Sequence, residues 1–317
     1  MTSLHPLTDP EVPVRSDYQS CHSYIRRPDV AAEILTPFYR DVVGLPVIRP
    51  VDQMVTFWAG EDLGFEIKCD DVDRGLHDHP ETAQCLPVFR THDLAATLAR
   101  TAAAGFPASW TVVSQHATTS WVLGPDGHLT GFEQRSPDSP FAADREALRR
   151  WELGAFELPE VEPMAPDLHY LSRVVLRVQD VDRLSGFYAG VLGLDRVGAE
   201  DGAAVHSLGD TVLLVLAPGG RPRPPVRDRL EVANVVMTRV ADLDAVLDAS
   251  AAEGATRVGE VLEFFTGSRA AYLADPEGNL FGVQQRTLWG SYPEDVESDR
   301  RWQAELAGRT TAGAARV

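Results

Sequence analysis

Apolar and polar positions along the chain change period repeatedly, and the changes come in a fixed order. Cys21–Arg26 alternates as a strand does. Ala31–Asp41 carries its apolar residues at helical spacing, and Leu45–Pro50, Met54–Ala59 and Gly64–Cys69 alternate again. This predicts one β-α-β-β-β unit. The pattern restarts at Leu86–Thr91, followed by a helix at Leu94–Ala104 that Gly105 stops. Strands are then predicted around Ser109–Val113, Ser120–Leu123 and Leu129–Arg135, the last two joined by the turn Gly124-Pro125-Asp126-Gly127.

The second half of the chain runs through the same plan. Strands are predicted at Arg173–Val178, Val205–Leu208, Val212–Leu216, Ala233–Val240, Ala270–Leu273 and Leu280–Arg286. Helices are predicted at Asp182–Val191 and Leu243–Glu253. Phe38 and Phe187 are 149 residues apart, as are Gly44 and Gly193, Asp93 and Asp242, and Gly105 and Gly254; Gly127 and Gly278 are 151 apart. Landmarks that recur at so steady an offset mark a duplicated domain. The reading is an α+β chain with an N-terminal domain at 18–136, a linker with a helix near Ala142–Leu153 at 137–168, a C-terminal domain at 169–287 and a tail at 288–317. The linker is expected to pack on the surface.

Composition narrows the function. With 29 basic against 47 acidic residues the net charge is −18, which argues against binding a phosphate backbone. Cys21, Cys69 and Cys85 lack metal-type spacing and suit buried thiols of a cytoplasmic protein. No signal-peptide pattern and no membrane-spanning apolar run is expected. Gly-rich phosphate loops, Gly-x-Ser-x-Gly elbows and Cys-x-x-Cys pairs are absent from the sequence.

Four motifs recur in order in both halves: Asp29 and Asp180 after the first strand, Phe-Tyr-x-x-Val-Val/Leu-Gly-Leu at 38–45 and 187–194, Asp93-Leu94 and Asp242-Leu243, and the closing turn Asp275-Pro276-Glu277-Gly278-Asn279. With these the chain resembles the vicinal oxygen chelate superfamily of glyoxalase I, extradiol dioxygenases, and fosfomycin- and bleomycin-resistance proteins. The resemblance implies four β-α-β-β-β modules in two tandem domains, each a curved mixed sheet around a cup. In metal-dependent members four strand positions point donors into the cup. Here the first half offers His22, Glu66, Leu86 and Gly131, and the second Arg173, Val215, Val235 and Gly282.

The resemblance therefore places a divalent metal (Fe, Mn, Ni or Zn), if there is one, on His22, Glu66 and Glu133 of the N-terminal domain, and none in the C-terminal domain, where Arg173 stays protonated. Glu133 shares a strand face with Gly131. The same three residues are the catalytic candidates. Tyr24, Trp58, Arg173 and Gln284 are the substrate-binding candidates, with Trp110 and Trp121 as further stacking surfaces or core. His77 and His79 read as a solvated loop. Two functions stand. One is a lyase, isomerase or dioxygenase acting on a small oxygenated ring in the N-terminal cup; the other is a metal-free antibiotic- or small-molecule-binding protein of the bleomycin-resistance type. The partner is a small molecule, neither nucleic acid nor membrane, and a homodimer is compatible with cups built between chains.

Overall fold

The structure is a computed structural model that describes residues 17–25, 35–51, 54–60, 63–69, 85–125, 127–153, 169–209, 211–227, 234–263 and 268–285. Its strands are β1 (Asp17–Ile25), β2 (Val47–Val51), β3 (Met54–Gly60), β4 (Leu63–Cys69), β5 (Cys85–Arg90), β6 (Ala108–Val113), β7 (Ala117–Leu123), β8 (Leu129–Arg135), β9 (Tyr170–Val178), β10 (Arg196–Glu200), β11 (Ala203–Ser207), β12 (Leu213–Pro218), β13 (Asn234–Arg239), β14 (Thr256–Glu263), β15 (Arg269–Ala274) and β16 (Leu280–Gln285). Its helices are α1 (Phe38–Val43, a π-helical turn), α2 (Leu94–Ala103), α3 (Ala142–Glu152), α4 (Val181–Leu192) and α5 (Leu243–Ala252). The four modules are present as expected. The predicted helix at Ala31–Asp41 is described only from Leu35 onward.

The helices begin and end on side chains the motifs supplied. Asp93, Asp180 and Asp242 are N-caps whose carboxylates accept the backbone N–H of Ala96, Arg183 and Ala245. Gly44 and Gly193 close α1 and α4 with φ of 87° and 65°, a left-handed conformation that favours glycine. Gln134 and Gln285 each accept the first N–H of the helix in their own module pair, from Leu94 and Leu243 at 3.1 Å.

Two eight-stranded sheets result, and strand pairing decides which modules share them. The first sheet runs β14-β15-β16-β13-β1-β4-β3-β2 and the second β10-β11-β12-β9-β5-β8-β7-β6. The first module is thus joined to the fourth through the antiparallel pair β1–β13, and the second to the third through β5–β9. Residues 18–136 and 169–287 do not each close a sheet of their own: every sheet takes one module from each half. The duplication leaves either pairing open, because the modules are alike enough to exchange partners.

The helices cover one face of each sheet, and a single apolar core joins both. Phe65 of the first sheet meets Phe89 of the second edge-to-face at 5.4 Å between ring centroids. The opposite face of the second sheet is curled into a cup. Arg135 on β8 bonds Glu200 on the edge strand β10 at 2.8 Å, although the two strands are five places apart in the sheet order. Strands β10 and β14 were not predicted from the sequence. They are edge strands, exposed along much of their length, and their Arg-Val-Gly-Ala-Glu and Thr-Arg-Val-Gly-Glu-Val-Leu-Glu sequences hide the alternation.

Candidate ligand-binding cup

Backbone register fixes which residues stand at the superfamily's four donor positions. In the first sheet His22 on β1 pairs with Glu66 on β4 and with Val235 on β13. In the second sheet the strand equivalent to β1 is β9, and the residue that pairs with both Val215 on β12 and Leu86 on β5 is Val175. Arg173, matched to His22 by counting back from Asp180, lies two residues away. Strand pairing, not counting along the chain, fixes which residue stands opposite which.

The proposed trio His22, Glu66 and Glu133 is likewise not brought together. His22 and Glu66 sit side by side in the first sheet, while Glu133 is on β8 of the second. A divalent ion needs three or four converging N/O donors. The second sheet offers Val175, Val215, Leu86 and Gly131, hence no donor. The first offers His22 and Glu66 beside Val235 and Gly282. Among the described residues no three His, Cys, Asp or Glu side chains converge as a metal site requires. Both glycines mark space already taken. A Cβ at Gly131 would lie 3.0 Å from Trp121 and from Val88, and one at Gly282 would collide with the Met237 sulfur. The residues present do not fit the superfamily's metal centre.

Instead, one end of the second cup holds a buried charge network. Glu133 accepts from Arg173 Nε at 3.0 Å and from Arg135 Nη1 at 3.4 Å. Arg173 Nη2 and Arg135 Nε reach the same carboxylate oxygen of Asp144, at 2.6 and 2.7 Å. Arg90 Nη1 donates to the Asp144 carbonyl at 3.1 Å, with the Asp144 carboxylate at 3.5 Å. Arg135 also forks onto Glu200. All but Glu200 are nearly inaccessible to solvent. Burial works against the Arg173 charge, but Glu133, Asp144 and Glu200 outweigh it and hold the guanidinium above its usual pKa. Burial pushes the Glu200 carboxyl up, against the pull of Arg135 and Arg173.

Asp144 belongs to α3, the linker helix. The expectation of a surface linker is corrected here: Phe141, Asp144 and Ala147 are buried, with Phe141 packed on Val205, Leu213 and Val215 in the cup. Arg135 and Arg173 lie over the Phe141 ring at 5.7 and 5.4 Å. Gly198 on β10 leaves the space this ring needs, since a Cβ there would meet it at 3.0 Å.

The substrate candidates separate in the same way. Trp58 is buried against Ala147 and Tyr170, with Trp151 beside them, so it serves the seat of α3. Arg173 and Glu133 neutralise one another within the network. Gln284 pairs in register with Arg239 and Ala270 in the first sheet. Tyr24 is placed only by its register opposite Lys68. His77 and His79 fall outside the described residues.

The other part of that face of the second sheet is apolar. Leu86, Val88, Trp121 and Leu129 form an apolar floor with Val175 packed against it. Trp110 on the edge strand stacks beside Trp121, with ring centroids 6.2 Å apart and planes 30° apart, and remains 41% exposed. Arg177 continues the face of β9 beyond Val175, in register with Ala217. The sequence reading did not single out Arg90, Arg135, Asp144, Glu200 or Arg177. The alternations Glu133–Arg135 and Arg173–Val175–Arg177 were the available signals, while Asp144 looked like an ordinary acid in a helix first turn.

Comparison with known proteins bears on the fold. Residues 173–284 match the family model described as Glyoxalase-like domain. No curated protein matches the sequence. Glyoxalase I from Zea mays superposes with a TM-score of 0.60 at 15% identity, covering 86% of this chain and 93% of that one. A putative dioxygenase from Bacillus subtilis gives 0.58 at 16% identity, covering 86% of each. These likenesses show the fold. Among the described residues no helix is long and apolar enough to cross a membrane.

Proposed function

Starting from a chain that carries the vicinal oxygen chelate fold, we propose that its second sheet forms a metal-independent binding cup for a small planar molecule. The observation that carries this reading is the replacement of all four donor positions by Val175, Val215, Leu86 and Gly131, with Trp121 and Val88 packed into the space at Gly131. An apolar floor with a half-exposed indole at its edge offers a flat ligand stacking and burial, worth about 0.5–1.5 kcal/mol beyond area for an aromatic pair. Such a protein sequesters or presents its ligand, as the drug-binding alternative requires.

A second, enzymatic reading rests on the first sheet, where His22 and Glu66 are register partners. A His–Glu pair can relay a proton to or from a small oxygenated ring, as lyase or isomerase chemistry requires. Glu133, by contrast, is occupied by two arginines and is withdrawn from the base role.

One experiment separates these readings. The purified full chain is screened against planar aromatic compounds by tryptophan fluorescence, with Trp110→Ala and His22→Gln beside it. Loss of binding in Trp110→Ala with His22→Gln unchanged supports the second-sheet cup. Turnover of any hit that His22→Gln abolishes supports the first sheet. Binding that survives Trp110→Ala intact overturns the proposal.

A further inference from the structure

The second sheet ends in a hairpin unlike the rest of the chain. Thr101–Pro125 is a run of 25 residues without Asp, Glu, Lys or Arg, in a chain where 24% of residues are charged. It contains β6, the outermost strand of the second sheet, and β7 behind it. All six residues of β6 are exposed. Of the six large apolar side chains exposed among the described residues, four lie on this hairpin: Trp110, Val112, Val113 and Leu123. Trp110 stacks on Trp121, so Trp110 and Val112 share the cup face of the sheet. Val113 stands on the opposite face with Thr111, whose hydroxyl bonds that of Ser120 at 2.8 Å.

A sheet edge leaves backbone N–H and C=O groups unpaired, and charge, proline or irregularity normally guards it against another strand. The other three edges carry such guards. Strand β2 contains Pro50, which has no N–H to donate. Strand β10 contains Arg196, Gly198 and Glu200, the last held by Arg135. Strand β14 contains Arg257, Glu260 and Glu263 and breaks register between Val258 and Leu262. Strand β6 has no charge, Pro or Gly. Its register shift falls between Ala108 and Trp110 and leaves Trp110–Val113 regularly paired with β7. The Ser114 N–H donates to the Ala117 carbonyl at 2.8 Å, which sets the alternation of the ladder. Val112 turns its backbone groups to β7, and Thr111 and Val113 turn theirs outward.

We propose that, whatever the cup binds, β6 is an interface between two copies of this chain, pairing antiparallel with its own copy about a two-fold axis at Thr111. The charge of the chain selects this occupant. Two molecules of net charge −18 repel wherever their acidic groups meet, and they approach at least cost along an uncharged edge. A basic partner would instead be drawn to the acidic surface. The strand is also complementary to itself. With the axis at Thr111, the two Thr111 residues exchange N–H···O=C bonds, and each Trp110 faces Val112 of the second copy. These aromatic and β-branched pairs fall at non-hydrogen-bonded positions, where side chains come closest. Such an interface uses the same edge on both molecules and closes at two.

The test is sedimentation velocity of the full chain over a concentration series, with far-ultraviolet circular dichroism as the check on folding. The wild type should show a monomer–dimer equilibrium. Val112→Lys places a charge on the edge, and Thr111→Pro removes the outward N–H while the β6–β7 ladder keeps its bonds. Each should weaken the dimer about tenfold or more. Thr111→Val, which loses only the hydroxyl, should dimerise as the wild type does. A wild type that stays monomeric throughout overturns the proposal, as does a dimer that persists in both Val112→Lys and Thr111→Pro. A dimer lost in Val112→Lys but intact in Thr111→Pro shows packing without strand pairing and overturns it too. If Thr111→Pro fails the folding check, Val112→Lys decides alone.

Discussion

Asp144 shows what a single residue contributes here. Its carboxylate faces Arg90, Arg135 and Arg173 with almost no access to water, so removing it strands positive charge in the interior. Asp144→Ala is expected to destabilise the chain by about 3–5 kcal/mol, read from urea denaturation. Gly131→Ala presses a methyl group against Trp121 and Val88 and is expected to cost about 1–3 kcal/mol in the same assay. A neutral result would show that the floor is looser than its contacts indicate. His206 supplies a pH signature. It is buried, with Nδ1 facing the Leu194 carbonyl at 3.3 Å and Nε2 facing the Ser185 hydroxyl at 2.9 Å. The first contact requires Nδ1–H to donate, so Nε2 accepts from Ser185. Burial lowers the pKa, the Leu194 carbonyl opposing it. The fold therefore holds the imidazole neutral, and the unfolded chain gains a proton that the folded chain resists. Stability should fall as pH drops below about 6.5, a limb that His206→Gln removes from a series of denaturation curves taken between pH 5 and 8.

Among the elements, α3 departs furthest from its sequence. Its polar surface is genuine: Glu146 pairs with Arg149 and Arg150, whose hydrogen bonds hold its carboxyl down to about 2. The helix reads as a surface linker from sequence because the stretches on either side of it are Pro-rich. The buried side is written in only a few residues, Phe141, Ala143, Asp144 and Ala147, too few to stand out as an apolar stripe. Phe141→Ala is expected to cost about 3–5 kcal/mol and to increase amide exchange along α3 selectively, since the ring and Asp144 hold the helix in the cup. The other helices were legible because aspartate caps and closing glycines recur in step with the repeat. The inner strands were legible for a similar reason, through their alternation. Edge strands β10 and β14 were not, because solvent on their exposed sides removes the demand for apolar residues.

For the molecule as a whole, the repeat named the modules and left their partners unstated. Pairing is a property of which strand edges meet, and the sequence of a module is satisfied by any sister with the same edge. The candidate site suffered accordingly: His22, Glu66 and Glu133 were grouped because they share a half, and they separate because sheets cross the halves. Cutting the chain between the halves tests this directly. Residues 1–153 and 154–317 expressed separately should each fail to give a cooperatively unfolding monomer, since both the β1–β13 and β5–β9 ladders are lost. Co-expression should return a one-to-one complex on size-exclusion chromatography. A half that folds alone as a monomer would contradict the strand order.

The same arrangement has a consequence for the ribosome. The second sheet is built from one continuous stretch, β5 to β12, whereas the first waits for its two parts from opposite ends of the chain. During synthesis the inner sheet is complete once Pro218 has emerged, while β1 to β4 have no sheet partner until β13 appears. Long-range pairing of this kind closes a large loop and comes late. The N-terminal module is thus made well before its sheet partner and is among the last to be paired, an interval in which its open β1 edge is available to chaperones and to the same module of a neighbouring nascent chain.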